Sequence, residues 1–208
     1  MKFFPTLSGK WINLNLNYES LKSNLDLSHP DICEKWIKQL LEEKNADYIF
    51  GGFLEDRTYI WRNHPNEKAE SLIHLGIDYS VPAGVEIVLP LDGELIHVMK
   101  DPLNKIGWGG RLIFKLIDGN YLLFGHLDQN IKLKIGKNYK KGEIVGIVGK
   151  KEVNGNWWPH LHAQLMTQKF IANYLDNLDL IDGYLPVGNE NIKNILDPES
   201  NYLSQVNS

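Results

Sequence analysis

The chain has one cysteine, Cys33, in 208 residues. That excludes an intramolecular disulfide and any cysteine-ligated zinc cluster, so a metal here must draw on histidine and carboxylate. No apolar run approaches the roughly 18 residues that a membrane-spanning helix requires. Basic residues are not in excess: 22 Lys+Arg against 26 Asp+Glu leave a formal charge of -4. A general nucleic-acid binder carries a basic surplus instead. The H-E-x-x-H pattern is missing, and with it the glutamate base of that metalloprotease class. The opening MKFFPTLSGKWINLNLN offers a single lysine before Phe-Phe-Pro and turns polar before an apolar stretch develops. We therefore expect a cytoplasmic protein, or one exported by a route other than a standard leader.

What is present is ordinary globular material, 43% hydrophobic and 23% charged, enough for one core and a small accessory layer. Residues 1–30 show no clear long element. The stretch HPDICEKWIKQLLEEKN predicts a helix at about 31–44, with Ile32, Cys33, Trp36, Ile37, Leu40 and Leu41 as a core stripe and Pro30 in the first turn. From about residue 70 the texture becomes short β-rich runs (SLIHLGIDYS, EIVLP, GELIHVM, GRLIFKLI, NYLLFGHL, IVGIVG, HLHAQLM) between turn signals such as VPAG, LDG, IDGN and KKGE. After residue 170 the chain turns Asn- and Asp-rich. The expected organisation is an N-terminal extension over 1–68, a mainly β domain over 69–170, and an irregular wrapping segment over 171–208. The β domain reads as an antiparallel sandwich or rolled sheet. Nothing in the sequence marks a particular oligomeric state.

Seven histidines are distributed over this frame. His29 and His64 each precede a proline and read as turn chemistry. His97, in GELIHVMK, has no acid or second histidine at a useful spacing and reads as structural. Four remain. In WWPHLHAQL, His160 and His162 point to one face of a strand while Leu161 and Ala163 point to the other. His74 stands four residues before Asp78 in HLGIDYS, a separation of roughly 13 Å along a straight strand. Convergence therefore predicts a bend at Leu75-Gly76. One His, one Asp and a further His leave an open fourth corner, the layout of a catalytic zinc. His126, ending the strand YLLFGHL, is available as a supporting or catalytic group.

These residues resemble the lysostaphin-type zinc metalloendopeptidases, the LytM-like family of peptidoglycan hydrolases. The resemblance rests on HLGIDYSVPAGVEIVLPLDGELI, GGRLIFKL, YLLFGHL, KKGEIVGIVG and PHLHAQL, over residues 74 to about 166. It implies a LytM-like antiparallel β-sandwich with its site in a groove on one sheet. It also implies Zn2+ held by His74, Asp78 and His162, with His160 and His126 serving catalysis. The implied substrate is a peptide or peptidoglycan-like polymer. Two features depart from the family. The turn before PHLH is a longer KKEVNGNWW, and GGFLEDRTYIWRN lies upstream. With ILDPESNYL, these resemble the peptidase-like domain fused in some bacterial proteins to small-molecule kinase-like and aminotransferase domains.

The chemistry expected is hydrolysis by a zinc-activated water, with a neutral imidazole, His160 or His126, taking the proton in place of a glutamate. Trp157 and Trp158 read equally as groove rim and as loop packing, whereas Phe124 reads as core. A rival of the same fold is a metal-bound module that binds peptide or glycan without hydrolysis. A biotinyl or lipoyl carrier, suggested by the hairpins and Met99-Lys100, leaves the histidine set unexplained.

Overall fold

The computed structural model describes residues 3–62, 72–102, 107–154 and 156–203; His64 lies outside them. The strands are β1 (Trp11–Leu14), β2 (Tyr48–Gly51), β3 (Leu72–His74), β4 (Ile77–Ser80), β5 (Glu86–Val88), β6 (Gly93–Lys100), β7 (Gly110–Leu116), β8 (Tyr121–Leu127), β9 (Asn138–Tyr139), β10 (Ile144–Ile147), β11 (His160–Met166), β12 (Tyr184–Pro186) and β13 (Ile195–Leu196). The helices are α1 (Leu16–Ser23), α2 (Pro30–Lys44), α3 (Thr58–Trp61) and α4 (Gln168–Ile171). The chain is mainly β, as expected. One sheet runs β1-β2-β4-β11-β8-β7-β6-β9 with β13 beside β11, and two smaller sheets pair β10 with β5 and β12 with β3. Every pairing is antiparallel except β1 with β2. No helix among the described residues is long and apolar enough to cross a membrane.

Both faces of the large sheet are covered, and the alternation of β11 shows how. Leu161, Ala163 and Leu165 enter the main core with Phe114, Leu122, Phe124, Ile87 and Val145. Phe124 is core, as its sequence context indicates. Phe3 and Phe4 plug this layer edge-on against Tyr79. On the opposite face, Ile113, Leu123 and Met166 pack under Phe170, Ile171 and Ile181 of the C-terminal segment. Buried Arg111 ties that segment down, donating to the carbonyls of Ile181 (2.5 Å) and Asp179 (3.1 Å). Within the described residues the C-terminal segment covers this face and supplies β12 and β13.

Two details differ from the sequence reading. INLNLNY yields β1 and the eight-residue α1, capped by the Asn15 side chain at Tyr18 N–H. Helix α2 forms with Pro30 in its first turn, and Cys33 and Ile37 are buried against Ile49. Ile32, however, is exposed: 3.6-residue periodicity puts it at the margin of the stripe. Burial pushes the Cys33 thiol up to about 12, which makes it a packing residue and a poor nucleophile.

Strand β8 contains a deviation that matters for the site. Its pairing with β7 steps from Gly110↔Leu127 to Leu112↔Phe124, so β8 has one residue more than its partner across this interval. The bulge falls at Gly125-His126, and His126 adopts φ 60. Simple alternation would turn His126 into the core with Leu122 and Phe124. The bulge instead brings it to the face that carries His162 and restores Leu127 to the core. A left-handed non-glycine residue costs about 1–2 kcal/mol. His126→Gly is accordingly expected to be more stable than His126→Ala by about 1 kcal/mol, as read by urea denaturation, because both lose the ring and only alanine keeps the strain. Equal stabilities would rule this account out.

Candidate metal centre

His74 ends β3, Asp78 lies in β4, and the two residues between the strands, Leu75 and Gly76, make the break expected from the sequence. The chain turns there, and His74 Nε2 lies 3.3 Å from Asp78 Oδ2. The glycine is required for space rather than for an unusual backbone angle. A Cβ on Gly76 would fall 2.6 Å from His162 Nε2 and 2.7 Å from the Ala163 carbonyl. Register does the rest: His162 is directly opposite Asp78 across the β4–β11 ladder. His162 Nδ1 lies 3.0 Å from Asp78 Oδ1 and 3.0 Å from His74 Nε2.

The protonation pattern follows from the partners. His74 Nδ1 faces the Gly52 carbonyl at 2.7 Å, an acceptor only, so its proton sits there and Nε2 is bare. His162 Nε2 faces Gln164 Oε1 at 3.2 Å, an acceptor that can hold the ring proton and free Nδ1 for an ion. Burial, reinforced by the Arg57 charge, lowers His74 to about 4 and keeps it neutral. Burial pushes Asp78 up, but the positive charge around it, with the Arg57 guanidinium 2.8 Å from Oδ2, outweighs burial and holds the carboxyl well below its usual range. In that tautomer two imidazole lone pairs and a carboxylate converge with no proton among them. Such a set is satisfied by a cation. The 3.0 Å spacings of His162 Nδ1 from His74 Nε2 and from Asp78 Oδ1 are close to the edge of roughly 3.3 Å expected for a tetrahedron of donors at zinc distances. His74, Asp78 and His162 therefore fit a metal ion, their donor atoms all lying within 4.8 Å of one another.

His160 and His126 stand beside this cluster. His160 Nδ1 donates to the Trp158 carbonyl at 2.7 Å, so its bare Nε2 is turned inward, 3.9 Å from Asp78 Oδ1. The His126 ring is 4.3 Å from that of His160 and stacks on Trp108 at 5.6 Å, with Nδ1 buried and unpartnered. Burial lowers both histidines below the ordinary imidazole value, His126 the further because His160 and His162 add to the effect. All five residues singled out in the sequence thus line one groove of about 710 Å³. His97 does not: it pairs with Asp179 at 2.8 Å, away from the groove. His29, before Pro30, lines its outer wall.

Several groove residues were not singled out. Arg57 donates to Asp78 Oδ2 at 2.8 Å, a partly buried contact, and to Glu55 at 2.9 Å, a buried one. The Tyr184 hydroxyl accepts from Arg57 Nη1 at 3.2 Å and from Trp61 Nε1 at 3.0 Å, which leaves its own O–H to donate. Trp61 and Trp157 meet at 5.6 Å and wall one side. The tryptophan pair packs against the α2 cluster together, but only Trp157 also lines the groove, while Trp158 has Lys38 over its ring. The acid–base alternation in LEDR was the available signal for Arg57. Tyr184 had none, because its neighbours read as loop.

Fold and donor set together define a metallopeptidase-type domain. Residues 72–173, just under half of the chain, match the family model of peptidase family M23. A protein of Haemophilus influenzae described as an uncharacterized metalloprotease is 29% identical over 92 residues, covering 44% of this chain and 18% of its own length. Among solved structures, a catalytic-domain mutant of the prophage-encoded M23 protein EnpA from Enterococcus faecalis is 29% identical, covering 51% of this chain and 75% of that one, with a TM-score of 0.40. A zinc-containing peptidase from Vibrio cholerae is 28% identical, covering 45% of this chain and 26% of that one, with a TM-score of 0.38.

Because a Cβ at residue 76 would strike the His162 ring, Gly76→Ala is expected to cost about 1–3 kcal/mol and to disturb metal binding as well. Thermal denaturation of the metal-free protein, with metal analysis of the loaded one, checks both. An unchanged melting temperature with full metal content would show that the strand junction relaxes freely.

Proposed function

We propose that this protein is a zinc-dependent metalloendopeptidase that hydrolyses peptide bonds, with peptidoglycan-type peptides as the first substrate class to test. The observation that carries the reading is the bare His160 Nε2 directed at the edge of the His74–Asp78–His162 cluster in the groove. His74, Asp78 and His162 would hold the ion. When bound, it supplies Lewis-acid polarisation of a carbonyl and acidifies water toward neutrality. The chain's own groups do the rest. His160, neutral and anchored through Nδ1 to a backbone carbonyl, takes a proton at Nε2. His126, held neutral against Trp108, lies beside it to orient the attacking water or steady the developing negative charge. The Tyr184 O–H is a further donor facing the groove. Trp61 and Trp157 give the wall an apolar face against which an extended peptide or sugar can lie.

The site residues contribute unequally, and this is the test. His162→Ala is expected to bring zinc below stoichiometric. His160→Ala and His126→Ala are expected to keep most of the metal and lose about 10²–10⁴-fold in turnover. Chelation is expected to abolish activity and added Zn2+ to restore it. The screen should include peptidoglycan, oligoglycine and D-amino-acid peptides. It should also include unrelated peptides, because the resemblance of FLEDRTYI and ILDPESNYL to a fused, kinase-associated domain widens the field. Three alanine variants that cleave as well as the parent would overturn the mechanism. Metal and peptide bound without product would establish a binding module instead.

A further inference from the structure

Metal ligands need their lone pairs aimed, and ordinarily other groups do the aiming. The third ligand, His162, is oriented from within its own strand by Gln164. The other two are oriented by one short segment, residues 52–57, which lies upstream of the family match at 72–173. The Gly52 carbonyl accepts from His74 Nδ1 at 2.7 Å and from Glu55 N–H at 3.2 Å. Gly52 has φ 92, and a Cβ there would lie 2.2 Å from Arg57 Nη2 and 2.9 Å from His74 Nδ1. Only glycine brings that carbonyl so close. The segment is itself laddered to β3: Arg57 N–H donates to the Leu72 carbonyl at 2.8 Å, and His74 N–H to the Glu55 carbonyl at 2.9 Å.

Arg57 performs the second orientation. Its Nη1 occupies Asp78 Oδ2 at 2.8 Å and leaves Oδ1, 3.0 Å from His162 Nδ1, as the oxygen free to bind. A lone guanidinium beside a dication site would weaken binding by repulsion. Here Glu55 offsets it, accepting from Arg57 Nε at 2.9 Å with both side chains at least nine-tenths buried. The three side chains together carry one net negative charge, the same as Asp78 alone. The fork thus fixes the carboxylate without changing the formal charge presented to the ion.

We propose that Arg57, set by Glu55 and the Gly52 turn, is a positioning residue for the metal ligand Asp78, so that this domain's metal centre depends on a segment outside the family-matched region. The inference rests on the metal reading above, and its test separates the two. Zn2+ affinity of the full chain is measured by competition with a chromophoric chelator for the parent, Arg57→Gln and Arg57→Lys. The metal-free melting temperatures and the visible absorption of the Co2+-loaded proteins are recorded alongside. Arg57→Gln is expected to lose about 10–100-fold in affinity. Arg57→Lys, which keeps the charge but not the fork, should fall between it and the parent with an altered Co2+ spectrum. If Arg57→Gln does not fold, Arg57→Lys alone decides. Affinity within twofold of the parent, or tighter, with an unchanged Co2+ spectrum would make Arg57 a packing residue and overturn the proposal. A parent that binds neither Zn2+ nor Co2+ would instead end the metal reading itself.

Discussion

Three lone pairs meeting with no proton between them is the constraint on which the rest of the molecule turns. His74 Nε2, His162 Nδ1 and Asp78 lie within 3.0–3.3 Å of one another. Uncompensated, such a cluster in a buried place is expensive, because each acceptor has given up water and received no hydrogen. The surroundings enforce it from several directions. Gly52 and Gln164 hold the imidazole protons on the far sides of the rings. Arg57 occupies the outer carboxylate oxygen. The β4–β11 register places His162 across from Asp78 whatever the side chains prefer. The architecture is organised to present acceptors, which is what a metal centre requires.

Strain is concentrated in the same place. His126 reaches the groove only because β8 carries a bulge with a left-handed histidine. Trp108 stacks on that ring, and the Arg111 guanidinium lies 5.2 Å over Trp108. Arg111 in turn anchors the C-terminal segment that brings Tyr184 to the groove. A backbone irregularity, a stacked aromatic and a buried cation thus form one support running from β7 and β8 to the tail. Removal of any of them would be felt at the histidine pair before it was felt in the main core.

Much of this was legible in the sequence, for reasons that can be traced. H-x-H declares a shared face because strand alternation is strict. The His74–Asp78 pair was readable because Gly76 interrupts what would otherwise be an over-long span. The helix at 30–44 announced itself by its stripe and its proline. Other features were hidden by the physics. Arg57 finds Asp78 across 21 residues, and an Arg beside acids on a surface has the same spelling as an Arg buried among them. Alternation alone would have sent His126 the wrong way, since one extra residue in a strand leaves no mark in composition. Tyr184 depends on β12 pairing with β3, a two-strand contact too short to show a period. His97 finds Asp179 across 82 residues and is likewise invisible locally.

The pairing of β2 with β4, and of β1 with β2 beyond it, has a consequence for how a chain-like guest could approach. The strand bearing Asp78 is not a free margin: its main-chain donors and acceptors are engaged on one side by β2 and on the other by β11. Among the described residues, the margin of the sheet on that side is β1, about 10 Å away at ordinary interstrand spacing. An extended polymer therefore cannot dock on Asp78 by adding itself as another strand. It must enter through the mouth of the trough, where side chains rather than backbone decide what is admitted.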